Sequence, residues 1–163
     1  MLLFRNPMVA VRRIWYTGGN GIHSPFAYQM VTQVIDCPGA YYADRQLYPF
    51  SERLLHPRRT AVRRLMFRLA NRWQPTKVRA SVEFQPYIAA GCKRADVENS
   101  DETYVSMYGN EGLMMVLPDL QSHKALWREW KERNDVRVTF DLYDVGIAVC
   151  APRLNKQNYK INW

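Results

Sequence analysis

The order of apolar patterns in the C-terminal third restricts the fold more than any other feature of this sequence. The run LMMVLPD (113–119) is short and continuously apolar, which is typical of a buried parallel strand. The next segment, LQSHKALWREWKER (120–133), has the spacing of an amphipathic helix whose inner face carries Leu126, Trp127 and Trp130. A strand followed directly by a helix indicates an α/β chain.

Two β-branched runs follow this helix and predict a hairpin. VRVTFDLY (136–143) and VGIAVCAP (145–152) are separated by Asp144, with Gly146 close behind. The closing segment NKQNYKINW (155–163) is compatible with one more strand. Strand, helix, strand and hairpin form the ending that a doubly wound α/β sheet with one antiparallel strand is expected to have.

The N-terminal half is predicted to be helical, and its glycines are better explained as a hinge than as a phosphate loop. Gly18, Gly19 and Gly21 precede a helix, but a phosphate loop needs a strand in front and a fixed spacing that ends in Lys-Ser or Lys-Thr or follows GxGxxG. The segment before them, NPMVAVRRIWY (6–16), has the pattern of a helix instead. The helix after them begins with an N-cap and a proline and continues with an apolar stripe: Ser24, Pro25, Phe26, Met30, Val31 and Val34.

The clearest helix is PRRTAVRRLMFRLANRWQP (57–75). One face is apolar and carries Val62, Leu65, Met66, Leu69 and Trp73. The segment also contains six arginines: Arg58, Arg59, Arg63, Arg64, Arg68 and Arg72. Three explanations remain open for them, namely a solvated helix face, binding to nucleic acid or another anionic surface, and binding to an acidic protein. Because exposed charges contribute little to folding, replacing Arg59, Arg63 and Arg68 with Gln is expected to leave stability nearly unchanged.

Composition excludes several classes of protein. The net charge of +8 lies in the first half, because residues 1–84 hold 13 basic and 4 acidic side chains and residues 85–163 hold 10 and 11. A basic half favours an anionic partner. The three cysteines form no CxxC pair and the three histidines have no metal-ligand spacing, so we expect free thiols and no metal site. No apolar run is long enough to span a membrane and no signal peptide is recognisable, which predicts a cytoplasmic protein.

Several motifs, in a fixed order, resemble a bacterial family of class I S-adenosylmethionine-dependent methyltransferases. The stretch GIHSPFAYQMVTQVI (21–35) is similar to the family's N-terminal G-I-H-S-P-F signature, and Tyr41-Tyr42 match the tyrosine pair that follows it. LMFRLANRWQP (65–75) is similar to the end of the family's basic helix. The segments from 113 to 163 resemble its tail, with an apolar strand ending in Asp, a Trp-containing helix, VTFDLYDVGI and KQNYK. The resemblance covers roughly residues 20–80 and 113–163.

The resemblance implies a Rossmann-like sheet that binds S-adenosylmethionine, but the central part of the chain departs from the family. In these enzymes the cofactor lies on a glycine-rich turn after the first strand, with an acidic residue after the second strand holding the ribose. Here KVRASVEF (77–84) alternates like that first strand, and Glu83 corresponds to the family's first acidic residue. Phe84, Gln85 and Pro86 occupy the glycine positions. Only 39 residues (74–112) separate Trp73 from Leu113, which is too short for the missing strands two to four.

We therefore expect a single domain, residues 1–163, with a helical region (1–75) and a truncated methyltransferase-like α/β region (76–163). The fold class is α/β, with a helical N-terminal part followed by a shortened Rossmann-like sheet that ends in an antiparallel hairpin. Three functions are compatible with it. They are a compact methyltransferase, a degenerate methyltransferase-like protein with weak or lost cofactor binding that serves in binding or assembly, and a basic nucleic-acid-binding domain.

Two residues of the tail are the candidates for catalysis. Asp119 ends the apolar strand and His123 follows it, so an active enzyme would use them for acid–base chemistry or substrate contact. The competing explanation makes Asp119 the N-cap of the next helix.

Loss of three strands also predicts exposed apolar surface. Its members would be Val78, Val82, Met114, Met115 and Val116. Such a surface is usually covered by a helix or by a second chain. The N-terminal segment 1–16 is one candidate cover, and a homodimer is the other.

Overall fold

The computed structural model describes Met8, residues 21–37, Gly39, Leu47 and residues 54–163. The expected first helix (6–16), Gly18 and Gly19 of the hinge, and Tyr41-Tyr42 lie outside these residues, apart from Met8, which is helical. The described part is an α/β structure with four α-helices and a seven-stranded mixed sheet.

The first helix of the described part, α1 (Pro25–Met30), begins as its sequence predicts. The Ser24 side chain accepts a hydrogen bond from the Ala27 N–H at 3.3 Å, and Pro25 occupies the first turn, where no N–H is needed. A short π-helix (Val31–Ile35) continues it. The predicted stripe is confirmed at Met30, Val31 and Val34, which are buried in the core, whereas Phe26 is half-buried and packs against it.

Helix α2 (Pro57–Trp73) is the longest, and its predicted apolar face is confirmed: Val62, Leu65, Met66, Leu69 and Trp73 are all buried. Helix α3 (Gln85–Gly91) packs against it so closely that a Cβ on Gly91 would lie 2.4 Å from the Phe67 carbonyl oxygen. Helix α4 (Lys124–Glu132) buries Trp127 and Trp130, but it starts four residues later than the amphipathic pattern.

The sheet contains β1 (Lys77–Ala80), β2 (Asp96–Asn99), β3 (Val105–Gly109), β4 (Gly112–Leu117), β5 (Val138–Asp141), β6 (Gly146–Cys150) and β7 (Gln157–Lys160). Their order across the sheet is β2-β1-β3-β4-β6-β5-β7. The β5–β6 hairpin is confirmed, with Phe140 opposite Ile147, and β7 lies parallel to β5 at one edge.

Strand β4 is antiparallel to both of its neighbours, so the expected parallel strand is wrong. Met114 pairs with Met107 of β3 on one side and with Val149 of β6 on the other. A continuous apolar run reports burial on both faces, and burial does not fix the direction of the neighbouring strands. The central segment 74–112, which was expected to be too short for strands two to four, supplies β2 and β3 as well as β1, so β1 and β4 both have paired neighbours.

The expected exposure of apolar strand residues is also wrong for four of the five positions. Val78, Met114, Met115 and Val116 are buried, and Val82, which follows β1 in a turn, is the one that is exposed. Helices α1, α2 and α3 share one core with one face of the sheet, and α4 covers Met115 and Ala148 on the other. Because these strands are covered within the chain, they give no reason to expect a homodimer.

The part of the second face beyond α4 is polar rather than apolar. Lys77 of β1 pairs with Glu98 of β2 at 2.7 Å, and Arg79 contacts Glu102 at 3.3 Å. The pKa of Lys77 is raised, chiefly by its hydrogen bond to Glu98. Strands with one charged face need no covering helix. Within the described residues, no helix is long and apolar enough to cross a membrane.

Candidate binding groove at the carboxyl edge of the sheet

Strands β1, β4 and β5 end at the same edge of the sheet, because they all run in one direction. The turns after these three strands and the start of α2 line an open cavity of about 1210 Å³, which we call the carboxyl-edge groove. Open α/β sheets bind ligands outside the carboxyl ends of their strands. Four residues singled out from three sequence motifs line this groove: Arg58, Arg59, Glu83 and Asp119.

The start of α2 forms one wall, and its charges are compensated from two different turns. The helix begins at Pro57 without a capping side chain, and its first turn carries two basic residues and no acidic one. Positive charge at this end is unfavourable next to the helix dipole. Arg58 Nη2 lies 2.8 Å from Asp144 Oδ1, and Arg59 Nε donates to Glu83 Oε1 at 2.6 Å. These carboxylates supply the negative charge that the first turn lacks.

The turn after β1 forms the floor, and the side chains of Glu83 and Phe84 fill it. Glu83 lies between Arg59 and Arg63, and the Arg63 Nη2 to Glu83 Oε1 distance is 3.4 Å. The Phe84 side chain is buried, and its N–H donates to the Ser81 carbonyl oxygen at 3.0 Å. The structure thus makes Glu83 an ion-pair partner of α2.

Asp119 lies in the groove, whereas His123 is not among the lining residues. The Asp119 carboxylate accepts a hydrogen bond from the Ser122 N–H at 3.3 Å. Hydrogen bonds from Ser122, then the nearby His123 and Arg58, lower the pKa of Asp119 against the opposing effect of burial. His123 Nδ1 lies 2.9 Å from the Asp119 carbonyl oxygen. Asp119 therefore caps the turn at residues 119–122, whereas the N-cap of α4 is His123, so the prediction that Asp119 is the N-cap of this helix is wrong. An ionised carboxylate is a poor proton donor at neutral pH.

Tyr143, in the turn between β5 and β6, lines the groove and was not identified from the sequence. Its φ of 75° is unusual for a residue with a bulky side chain. The Tyr143 N–H donates to Asp141 Oδ1 at 2.8 Å, and the Gln121 side-chain amide donates to the Tyr143 carbonyl oxygen. An aspartate two residues before a turn residue is a local signal that could have indicated this turn.

The six arginines of α2 do not form one solvated face. Arg58 and Arg59 have side chains that are 57% and 56% exposed, but the Arg63 side chain is only 11% exposed and its guanidinium lies 5.4 Å from the Tyr87 ring centre. Arg68 is buried, and its Nη2 donates to the Gly39 carbonyl oxygen at 3.1 Å. Arg64 and Arg72 are half-buried. The expectation that Arg63 and Arg68 are solvent-exposed is therefore wrong.

The groove brings charged and apolar groups together without a metal-binding set. No group of three or more His, Cys, Asp or Glu side chains in the described part of the chain could hold a metal ion. Comparison with protein-family models, with curated proteins and with solved structures found no match for the chain.

Proposed function

We propose that this chain is a methyltransferase-like binding protein, built on a class I methyltransferase scaffold whose S-adenosylmethionine site is weak or lost. The ordered motifs of residues 20–80 and 113–163 support the scaffold. The succession of β4, α4 and the β5–β6 hairpin supports it as well, because a strand, a helix and a hairpin end a Rossmann-like sheet of this kind. The carboxyl-edge groove is the place where such a scaffold would bind a ligand.

The turn after β1 is the main support for weak or lost cofactor binding. A nucleotide cofactor approaches backbone N–H groups closely, which requires glycine in that turn. Here the carboxylate of Glu83 is held by Arg59 at 2.6 Å, so its use as a cofactor ligand would first require breaking that ion pair. The Phe84 N–H is already donated to Ser81. The turn therefore offers little that a ribose or a methionine group could bind.

Isothermal titration of the full chain with S-adenosylmethionine tests this proposal. We expect a dissociation constant weaker than about 1 mM, which corresponds to a binding free energy smaller than about 4 kcal/mol. A constant in the low micromolar range would overturn the proposal and restore the enzyme. The variant Glu83→Gln would then serve as the control. If the Glu83 carboxylate binds the cofactor, this change weakens the affinity of the protein for S-adenosylmethionine, and otherwise the affinity stays the same.

The alternative is a basic nucleic-acid-binding module on the same scaffold, favoured by the exposure of Arg58 and Arg59. Each contact to a phosphate makes the binding affinity fall more steeply as the salt concentration increases. Titrating duplex and single-stranded oligonucleotides between about 50 and 200 mM salt should then give a steep slope that Arg58→Gln reduces by about one. A flat salt dependence, or a slope that Arg58→Gln leaves unchanged, would exclude this alternative.

A further inference from the structure

The carboxyl-edge groove is not basic, although the chain as a whole is. The chain carries +8, yet the groove is lined by two arginines and three carboxylates, Glu83, Asp119 and Asp144. The lining sums to −1 with His56 counted as neutral, and Arg63, whose guanidinium lies 3.4 Å from Glu83, brings the local sum to zero. Arg58 and Arg59 are each held by one of these carboxylates. Asp119 has its hydrogen bonds from Ser122, and no salt bridge to it is found among the described residues.

This charge pattern disfavours a polyanion as the occupant. A nucleic-acid strand in the groove would compete with Glu83 and Asp144 for the two arginines, and it would also face the carboxylate of Asp119. A ligand with charges of both signs matches the lining better. Its cationic group would face Asp119, whose lowered pKa keeps it ionised at neutral pH, and its anionic group would face Arg58.

The rim of the groove is apolar and exposed. Leu54 and Leu55 are 65% and 74% exposed, and they are consecutive in the chain. Val62 and Phe84, which are buried, and Pro118 continue this apolar surface into the groove. Adjacent exposed leucines beside a polar cleft are typical of a surface that another protein covers.

The open shape favours a polypeptide over a small molecule. The groove is an open depression of about 1210 Å³, whereas pockets for small ligands are concave and bury about 70–90% of the ligand surface. Tyr143 also lines it, and its left-handed backbone is the kind of strained conformation that collects at binding sites. Tyrosine is enriched at protein interfaces because it offers an apolar ring and a polar end.

We infer that the carboxyl-edge groove docks an extended segment of a partner protein that carries an apolar anchor and a basic residue. The anchor packs on Leu54 and Leu55, and the basic side chain pairs with Asp119. An acidic group of the same segment lies over Arg58. This inference rests on the proposed function in one respect, since it requires that the groove is not a cofactor site.

The test uses a displayed library of random dodecapeptides, selected on the full chain, followed by fluorescence anisotropy with the enriched peptides in synthetic form. We expect enrichment of sequences that combine a large apolar residue with Lys or Arg. The double variant Leu54→Ser/Leu55→Ser and the variant Asp119→Asn should each weaken binding about tenfold or more. Val82→Ser is the matched control, because Val82 is 69% exposed but does not line the groove. It should leave the affinity unchanged.

Three results would overturn the inference. The first is a selection without enrichment above background. The second is that the selected peptides bind the two groove variants, Leu54→Ser/Leu55→Ser and Asp119→Asn, as tightly as they bind the parent. The third is an oligonucleotide that competes with the peptides and binds the Arg58→Gln variant more weakly than the parent. Leu54, Leu55 and Val82 are exposed, so thermal unfolding of their variants should match that of the parent, whereas Asp119→Asn should unfold cooperatively with only the small loss expected of a turn cap, which excludes misfolding. S-adenosylmethionine titration separates the two proposals. Low micromolar binding refutes the proposed function, whereas absence of both cofactor and peptide binding refutes this inference alone.

Discussion

Replacing Arg68 with Gln tests whether an arginine predicted to be on a solvated helix face contributes to the core. Arg68 is 8% exposed, and its guanidinium donates to the carbonyl oxygens of Gly39 at 3.1 Å and Val34 at 3.5 Å. These contacts join α2 to the segment that follows α1. Gln is too short to reach both acceptors. A hydrogen bond from a charged donor contributes about 1.5–3 kcal/mol, and the 3.5 Å contact adds little, so the expected loss is about 2 kcal/mol.

The measurement is urea unfolding followed by circular dichroism, together with thermal unfolding. A loss of this size should lower the melting temperature of a chain of 163 residues by about 4–8 °C. The matched control is Arg59→Gln on the same helix. Its side chain is 56% exposed, and exposed ion pairs contribute less than about 1 kcal/mol. Equal effects of the two changes would refute the reasoning, because burial would then make no difference.

Three further changes probe the helix contact, the cap and the turn. Gly91→Ala places a Cβ 2.4 Å from the Phe67 carbonyl oxygen, and this clash should lower the free energy of unfolding by about 1–3 kcal/mol. Alanine improves helix propensity by about 1 kcal/mol, so urea unfolding should still show a net loss of stability. Ala89→Ser, on the exposed side of the same helix, should change the free energy of unfolding little. A Gly91→Ala variant as stable as the parent would contradict the close packing. For Asp119 the pKa is lowered below its ordinary value of 3.8 in the folded state, so its contribution to stability is present above that pH and disappears as the pH falls through the lower, folded value. The stability difference between the parent and Asp119→Asn should thus be constant from about pH 7 to 5 and shrink below pH 3.8, and a difference that grew on acidification would contradict it. At Tyr143, with φ of 75°, relief of backbone strain of about 1–3 kcal/mol should make the Gly variant melt above the Val variant, and the opposite order would show that the turn is not strained.

Local features of the fold could be predicted from the sequence because their causes lie within a few residues. The Ser24 cap and Pro25 fix the start of α1, and the apolar spacing of residues 57–75 fixes α2. The β5–β6 hairpin follows from two β-branched runs and a short turn. Each of these signals is complete within one element, so no knowledge of distant residues is needed.

The sheet directions could not be read in the same way. The run 113–119 predicts a buried strand, but its side chains would be equally apolar beside parallel or antiparallel neighbours. Strands β2 and β3 come from a polar segment, and the exposed positions of β1 and β2 are paired as Lys77 with Glu98. Only the arrangement of the strands shows that these charged side chains share one face of the sheet, which therefore needs no covering helix.

Four residues of the carboxyl-edge groove could be singled out from the sequence, but only the folded chain shows what each of them does. Arg58 and Arg59 come from one motif, and Glu83 and Asp119 come from two others. They meet because three strands end at one edge. Glu83 is 24 residues from Arg59 in the chain, yet their ion pair makes Glu83 a partner of α2 rather than an available acid. Arg68 and Arg59 share a helix, but only Arg68 faces the carbonyl oxygen of Gly39. Side-chain chemistry is a local property, whereas burial and charge pairing depend on what the rest of the chain brings within a few ångströms.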